Sequence, residues 1–186
     1  MPRFVAFFGS INVGGNRLTM ADLRYALERE DFANVETVVA SGNVLFDHED
    51  RPSAGLTEKL AYVVADRFGF DSFVAVRSRD EVAAAIAGNP FAADGQDHLV
   101  HTLFLEHPVD QARFDRLVAD HAGRGRERLA HGDRALYIDY VDGTGNSRLT
   151  GAFMERRLES RGTARNMRSL ARIVAKMDET VWPSSN

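Results

Sequence analysis

The chain has 186 residues, 44% of them hydrophobic, with no cysteine and a formal net charge of -4 at neutral pH. That composition is ordinary for a folded protein with a sizeable core, and it excludes a disulfide framework, a thiolate metal site and a cysteine nucleophile. The acidic balance argues against general binding to polyanions, although residues 147–177 carry eight Arg or Lys against two Glu and so form a local basic region.

The first apolar run, Phe4 to Phe8, is continuous and too short for a helix, a signal-peptide core or a membrane span, so it reads as a buried strand of a cytoplasmic protein. After the loop that follows, Thr19 and Asp22 resemble a capping box. Met20, Leu23 and Leu27 then give the next helix an apolar stripe. Val35 to Val39 and Val44 to Phe46 are strand-like runs joined by the turn Ala40 to Asn43, the pattern of a tight antiparallel hairpin. Leu56, Leu60, Val63, Val64 and Phe68 keep a helical period that Gly69 stops, and Phe73 to Arg77 reads as a fourth strand.

Residues 1–77 therefore spell β-α-β-β-α-β, the order of a ferredoxin-like half. Ser78 and Glu81 form a second capping box, opening a short Ala-rich helix that ends near Gly88-Asn89-Pro90, so residues 78–97 read as a helical connector. A strand at Leu99 to Leu105 follows, then a helix with Phe114, Leu117 and Val118, and a hairpin from Glu127 to Tyr140 turning at Gly132-Asp133. Ser147 is placed to cap a helix carrying Phe153, Met154 and Leu158. Residues 98–186 thus repeat β-α-β-β-α. An amphipathic helix from Ala164 to Met177 replaces or supplements the last strand of that half. The expected fold class is α+β, two related ferredoxin-like halves with an extra C-terminal helix, and Phe4, Leu23, Leu27, Val38, Leu60 and Val64 are expected in the core.

Two polar turns lie where strands end. Asn12, Gly14, Gly15, Asn16 and Arg17 fill the loop after the first strand, and Ser41, Gly42 and Asn43 form the hairpin turn. If their strands pair, the turns meet in one polar site, where loop amides, Arg17 and the following helix N-terminus suit an anion. The spacing of Gly9 with Gly14-Gly15 is that of a P-loop, but the Lys and Ser or Thr which that motif needs are missing. The other reading of these glycines and small polar residues is structural, as turn formers.

No histidine pair has ligand spacing, since His98 and His101 sit on opposite faces of a strand, and Asp47-His48-Glu49-Asp50 reads as a solvated loop. No metal and no cofactor are expected. Arg165, Arg168, Arg172 and Lys176 make one stripe of the last helix, and Arg124, Arg126 and Arg128 alternate in a segment that extends the basic patch if it is a strand. A solvated basic face is the simpler reading of the stripe.

Met1-Pro2-Arg3-Phe4-Val5, Ile11-Asn12-Val13-Gly14-Gly15-Asn16 with Met20, Ser41-Gly42-Asn43-Val44-Leu45-Phe46, Asn89-Pro90-Phe91, and Thr163 with Arg165-Asn166 resemble, in order, the motifs of domain-of-unknown-function family 1697. The resemblance runs nearly the length of the chain and implies a bacterial α+β protein with no assigned activity. Arg165 and Asn166 are second candidate contributors to the site. Gly9-Ser10 stands where the family usually has Arg-Gly, and Met167-Arg168-Ser169 where it has Trp-Asn-Thr, which removes a cation and an aromatic platform for base stacking.

The functional expectation is a binding module for a phosphorylated small molecule, nucleotide or nucleic acid, with nucleic acid disfavoured by the net charge and no membrane as partner. The alternatives are an enzyme acting on a small polar metabolite at the same place, with Ser41 or an acid as the reacting group, and a protein that docks an acidic partner through its basic helix.

Overall fold

The computed structural model describes residues 1–9, 18–39, 42–49 and 52–179. The apolar run at the start is strand β1, Arg3–Phe8, and its side chains divide between two cores: Phe4, Ala6 and Phe8 face one way, Val5 and Phe7 the other. A strand with apolar residues on both faces needs cover on both, which is why its sequence is continuous instead of alternating. It is accordingly central, pairing antiparallel with β3 (Asn43–Asp47) on one side and β4 (Val74–Ser78) on the other, with β2 (Ala33–Thr37) at the edge beyond β3.

Helices α1 (Met20–Glu28) and α2 (Ser53–Phe68) cover the first of those faces through Leu23, Leu27, Leu56, Leu60 and Val64. The Thr19 hydroxyl accepts from the Asp22 amide to start α1, and Gly69, at φ 75°, ends α2 in the left-handed conformation that favours glycine. Helix α3 (Arg79–Gly88) opens on a full capping box, with Ser78 and Glu81 each bonding the other's backbone N–H.

The second half runs β5 (Val100–Leu105), α4 (Gln111–His121), β6 (Arg128–Gly132), β7 (Ala135–Asp139), α5 (Gly151–Leu158), β8 (Gly162–Asn166) and α6 (Met167–Asp178). Its sheet order, β6-β7-β5-β8, is that of the first sheet, β2-β3-β1-β4, with every pairing antiparallel. The last strand of this half is present as well as the helix. Gly162–Asn166 pairs with β5 from Leu105↔Gly162 to His101↔Asn166, so the helix expected from Ala164 begins only at Met167, after the Asn166 side chain caps it. Ser147 is not the cap of α5. Thr150 takes that place, while the Ser147 hydroxyl accepts from the Leu149 amide and bonds Glu127.

The layers follow from the faces. Helices α1 and α2 lie outside the first sheet, and α4 and α5 outside the second, on Leu103, Leu105, Leu136 and Ile138. Between the sheets, Val5, Phe7, Leu45 and Ala75 meet Val100, Phe104, Ala135 and Tyr137, with Val82 and Ala85 of α3 and Leu170, Ile173 and Met177 of α6 completing this middle core. Phe7 and Phe104 occupy the same position of β1 and β5 and stack on each other, ring centroids 4.6 Å apart and 9° from parallel. All six residues expected in the core are buried.

Truncating either ring leaves a cavity in a core shared by both halves. Phe7→Ala and Phe104→Ala should each cost about 3–5 kcal/mol in urea unfolding, and the double variant should cost less than the two singles together by ~0.5–1.5 kcal/mol, the coupling of a stacked pair. Ser78→Ala and Asn166→Ala, which remove the equivalent helix caps, should each cost ~1 kcal/mol in the same measurement.

Candidate functional site

The hairpin turn and the end of β1 come together. Phe7 is opposite Asn43, and the Phe8 amide donates to the Gly42 carbonyl at 2.8 Å. The strand ends that lead into the two polar turns are thus adjacent. The residues expected to form most of the site, Asn12, Gly14, Gly15, Asn16, Arg17 and Ser41, lie outside the described residues. Gly42, Asn43, Arg165 and Asn166 are described.

Arg165 is the organising group. It is carried by β8 of the second half, and its side chain crosses to the first half, where Nη2 donates to the carbonyls of Phe8 and Gly42, both at 3.1 Å, and Nε donates to Asn43 Oδ1 at 2.6 Å. Nη1 donates to Thr163 Oγ1 and the Ala164 carbonyl. The guanidinium lies 5.4 Å from the centre of the Phe7 ring. All five of its N–H groups therefore have acceptors, and every acceptor is neutral. Among the described residues no carboxylate pairs with it, and burial pushes its pKa down to about 10. It stays charged at neutral pH, a cation set into the fold without a counter-ion among the described residues.

The neighbours hold that cation in place. Asn43 accepts from Arg165 with its oxygen and donates to the Val39 carbonyl with its nitrogen, so both ends of its amide are engaged. Gly42 has φ 91°, and a Cβ there would lie 3.3 Å from both Arg165 Nη2 and the Phe8 carbonyl, so glycine serves both the turn and the close approach. Asn166 sits beside this group but uses its side-chain oxygen on the Ser169 amide, as the cap of α6.

The basic stripe is changed by the same strand. Arg165 belongs to β8 and not to the helix, Arg168 pairs with Asp97, and Lys176 pairs with Glu36 and Glu179. The three alternating arginines do not line one face either: β6 starts at Arg128, which binds Asp94 and Asp139, while Arg126 binds Asp142 and Arg124 lies over the Phe153 ring.

One arginine went unnoticed in the sequence. Arg77 holds on β4 the position that Arg165 holds on β8, the residue before a helix cap, and makes the reciprocal reach: its Nη2 donates to the carbonyls of Leu105, at the end of β5, and Arg134, in the β6–β7 turn. It lies 5.5 Å from the Phe104 ring, as Arg165 does from Phe7. Contacts exchanged in both directions are the mark of an approximate twofold relation. The signal was in the sequence, because Ala75-Val76-Arg77-Ser78 and Thr163-Ala164-Arg165-Asn166 each precede a helix whose buried residues fall four and seven positions after the cap.

A wider cleft of about 580 Å³ lies at the other end of β3, among Met1, Phe32, Asn34, His48 and Lys59, and takes no part in this arrangement. Among the described residues there is no group of three or more His, Asp or Glu placed to hold a metal, and no helix is long and apolar enough to cross a membrane.

Comparison with known proteins gives the fold a relative and leaves the activity open. The conserved bacterial protein SP0830 of Streptococcus pneumoniae superposes with a TM-score of 0.73 at 23% sequence identity, covering 96% of this chain and 99% of that one. No curated protein matches. The model of DUF1697, a protein family of unknown function, matches residues 1–137, which include both polar turns and most of both sheets. The chain belongs to the DUF1697 family.

Proposed function

We propose that the protein is a binding module for a phosphorylated small molecule, in the range of a nucleotide or sugar phosphate, recognised where Arg165 meets the ends of β1 and the hairpin turn. One observation carries this reading: Arg165 is a half-buried cation surrounded by neutral acceptors and without a carboxylate among the described residues. A positive charge removed from water and left uncompensated is costly, and an anion nearby relieves that cost more effectively there than on a wet surface. Since its N–H groups are all engaged, Arg165 supplies the field while the donors come from the adjoining segments that contain Asn12, Gly14, Gly15, Asn16, Arg17 and Ser41. A cytoplasmic setting goes with this reading, as the compartment rich in phosphorylated metabolites. The ion pairing of Arg168 and Lys176 favours a small anion over a nucleic-acid backbone.

A thermal-shift and calorimetric screen of nucleotides, sugar phosphates, inorganic phosphate and oligonucleotides tests it, because a ligand that binds only the native state raises Tm. At least one phosphorylated small molecule should do so, and its binding should weaken with salt. Arg165→Gln should lower its affinity about tenfold, ~1.4 kcal/mol. Arg17→Ala, which keeps Arg165, Asn43 and Gly42 themselves unchanged, should weaken it in the same direction. If no phosphorylated compound shifts Tm, or if both variants bind as the wild type does, the reading is wrong.

A further inference from the structure

The equivalent place in the second half is built differently. There Arg77 borders a cleft of about 150 Å³ whose walls include Ala84 and Ala85 of α3, Phe104, Asp133 and Tyr137. Arg77 is only 4% exposed, yet it uses three N–H groups where Arg165 uses five: Nη1 on the Val76 carbonyl and Nη2 on those of Leu105 and Arg134. Nε–H and one N–H of Nη1 have no acceptor among the described residues. Tyr137 is 5% exposed, its hydroxyl sits so close to Gly132 that a Cβ there would lie 2.5 Å from it, and it too has no hydrogen-bond partner among the described residues. Neither is among the fully enclosed polar atoms without a partner, which among the described residues are Asn89 Nδ2, Thr102 Oγ1 and His121 Nδ1, so both donors open onto the cleft, where a bound molecule can accept from them.

Four charged residues line the cleft, two of them joined in an ion pair and two not. Arg134 is bound to Glu81 at 2.9 Å and to the Ser53 hydroxyl. Arg77 has no ion pair, and exposed Asp133 at the cleft's edge has none among the described residues. The charges outside ion pairs are therefore a cation inside and a carboxylate at the rim. A dianionic phosphate would meet the repulsion of Asp133, whereas a molecule carrying a carboxylate at one end and an ammonium group at the other matches both. The volume sets the size. At ~30 Å³ per water, 150 Å³ holds about five water-sized groups, and the cleft falls below the roughly 300–1,000 Å³ of common ligand pockets, so a nucleotide does not fit.

We infer that this cleft is a second binding site, for a small amino-acid zwitterion of the size of glycine or alanine, with its carboxylate on Arg77 and the Tyr137 hydroxyl and its ammonium group toward Asp133. Burial and the nearby Asp133 raise the Tyr137 pKa, which keeps the hydroxyl a donor at neutral pH. The site stands apart from the one around Arg165 and does not rest on the ligand proposed there.

An NMR titration of the full chain with glycine, alanine, acetate and methylamine tests the inference. Glycine or alanine should give saturable shifts at Ala84, Asp133 and Tyr137, and acetate and methylamine should bind at least tenfold more weakly. Tyr137→Phe should weaken glycine binding about tenfold while keeping or raising Tm, since the hydroxyl it removes has no partner among the described residues. Asp133→Asn should lower glycine affinity and leave acetate unaffected or stronger. Ala84→Phe, at an exposed rim position, should abolish binding without changing Tm by more than a few degrees. Absence of saturable shifts, equal affinity for acetate and glycine, or undiminished binding by Ala84→Phe would overturn it.

Discussion

Each sheet of this protein is apolar on both faces, and each half carries outer helices for only one of them. The remaining face is covered by the other half, assisted by α3 and α6. The chain meets that requirement by setting the two inner faces against each other, so the middle core, centred on the stacked Phe7 and Phe104, belongs to neither half alone. The helix-sheet-sheet-helix arrangement and the placement of the arginines follow from this one demand for cover.

A sheet-on-sheet core solves the burial of side chains but leaves backbone carbonyls at the strand ends where the halves abut. Arg77 and Arg165 answer that problem reciprocally, each reaching from an edge strand to the carbonyls at the end of the other half's central strand and neighbouring turn. A guanidinium suits the role because its planar fork presents several donors at fixed angles while its flat face rests on an aromatic ring. The two copies then differ in their electrostatics. Glu81 and Asp133 offset part of the charge of Arg77, whose pKa burial and the nearby Arg134 push down to about 10, while for Arg165 burial acts with no carboxylate among the described residues to oppose it. A duplicated architecture has kept one mechanical device in both places and given each a different surrounding field.

Much of this was legible in the sequence. The two-faced apolar run of β1, the capping box at Ser78 and Glu81, the stop at Gly69 and the repeated order of elements all come from local rules that act within a few residues. What escaped reading was of longer range. Gly162–Asn166 has little strand character of its own, with two glycine-like or small residues, a threonine and two polar side chains, and becomes a strand because β5 offers it an unpaired edge. Once that happens Arg165 leaves the helical stripe to which periodicity assigned it and turns into the gap between the halves. Likewise the sequence offers Asn43 and Asn166 as groups for a ligand, and within the fold their side-chain oxygens accept from Arg165 and from the start of α6. Contacts made across such separations are set by the packing of whole sheets, which a residue-by-residue pattern does not contain.

The shared middle core also shapes how the chain must be made. During synthesis the first sheet can pair its strands and dock α1 and α2 as soon as β4 has emerged, but its inner face, with Val5, Phe7, Leu45 and Ala75, has nothing to rest on until β5 to β8 follow. At translation rates of about 5–20 residues per second that wait lasts roughly 5–20 s. For that interval the nascent half presents a flat apolar surface that another unfinished copy covers equally well, so the protein's passage through the ribosome, more than its finished stability, is where it is exposed to misassembly.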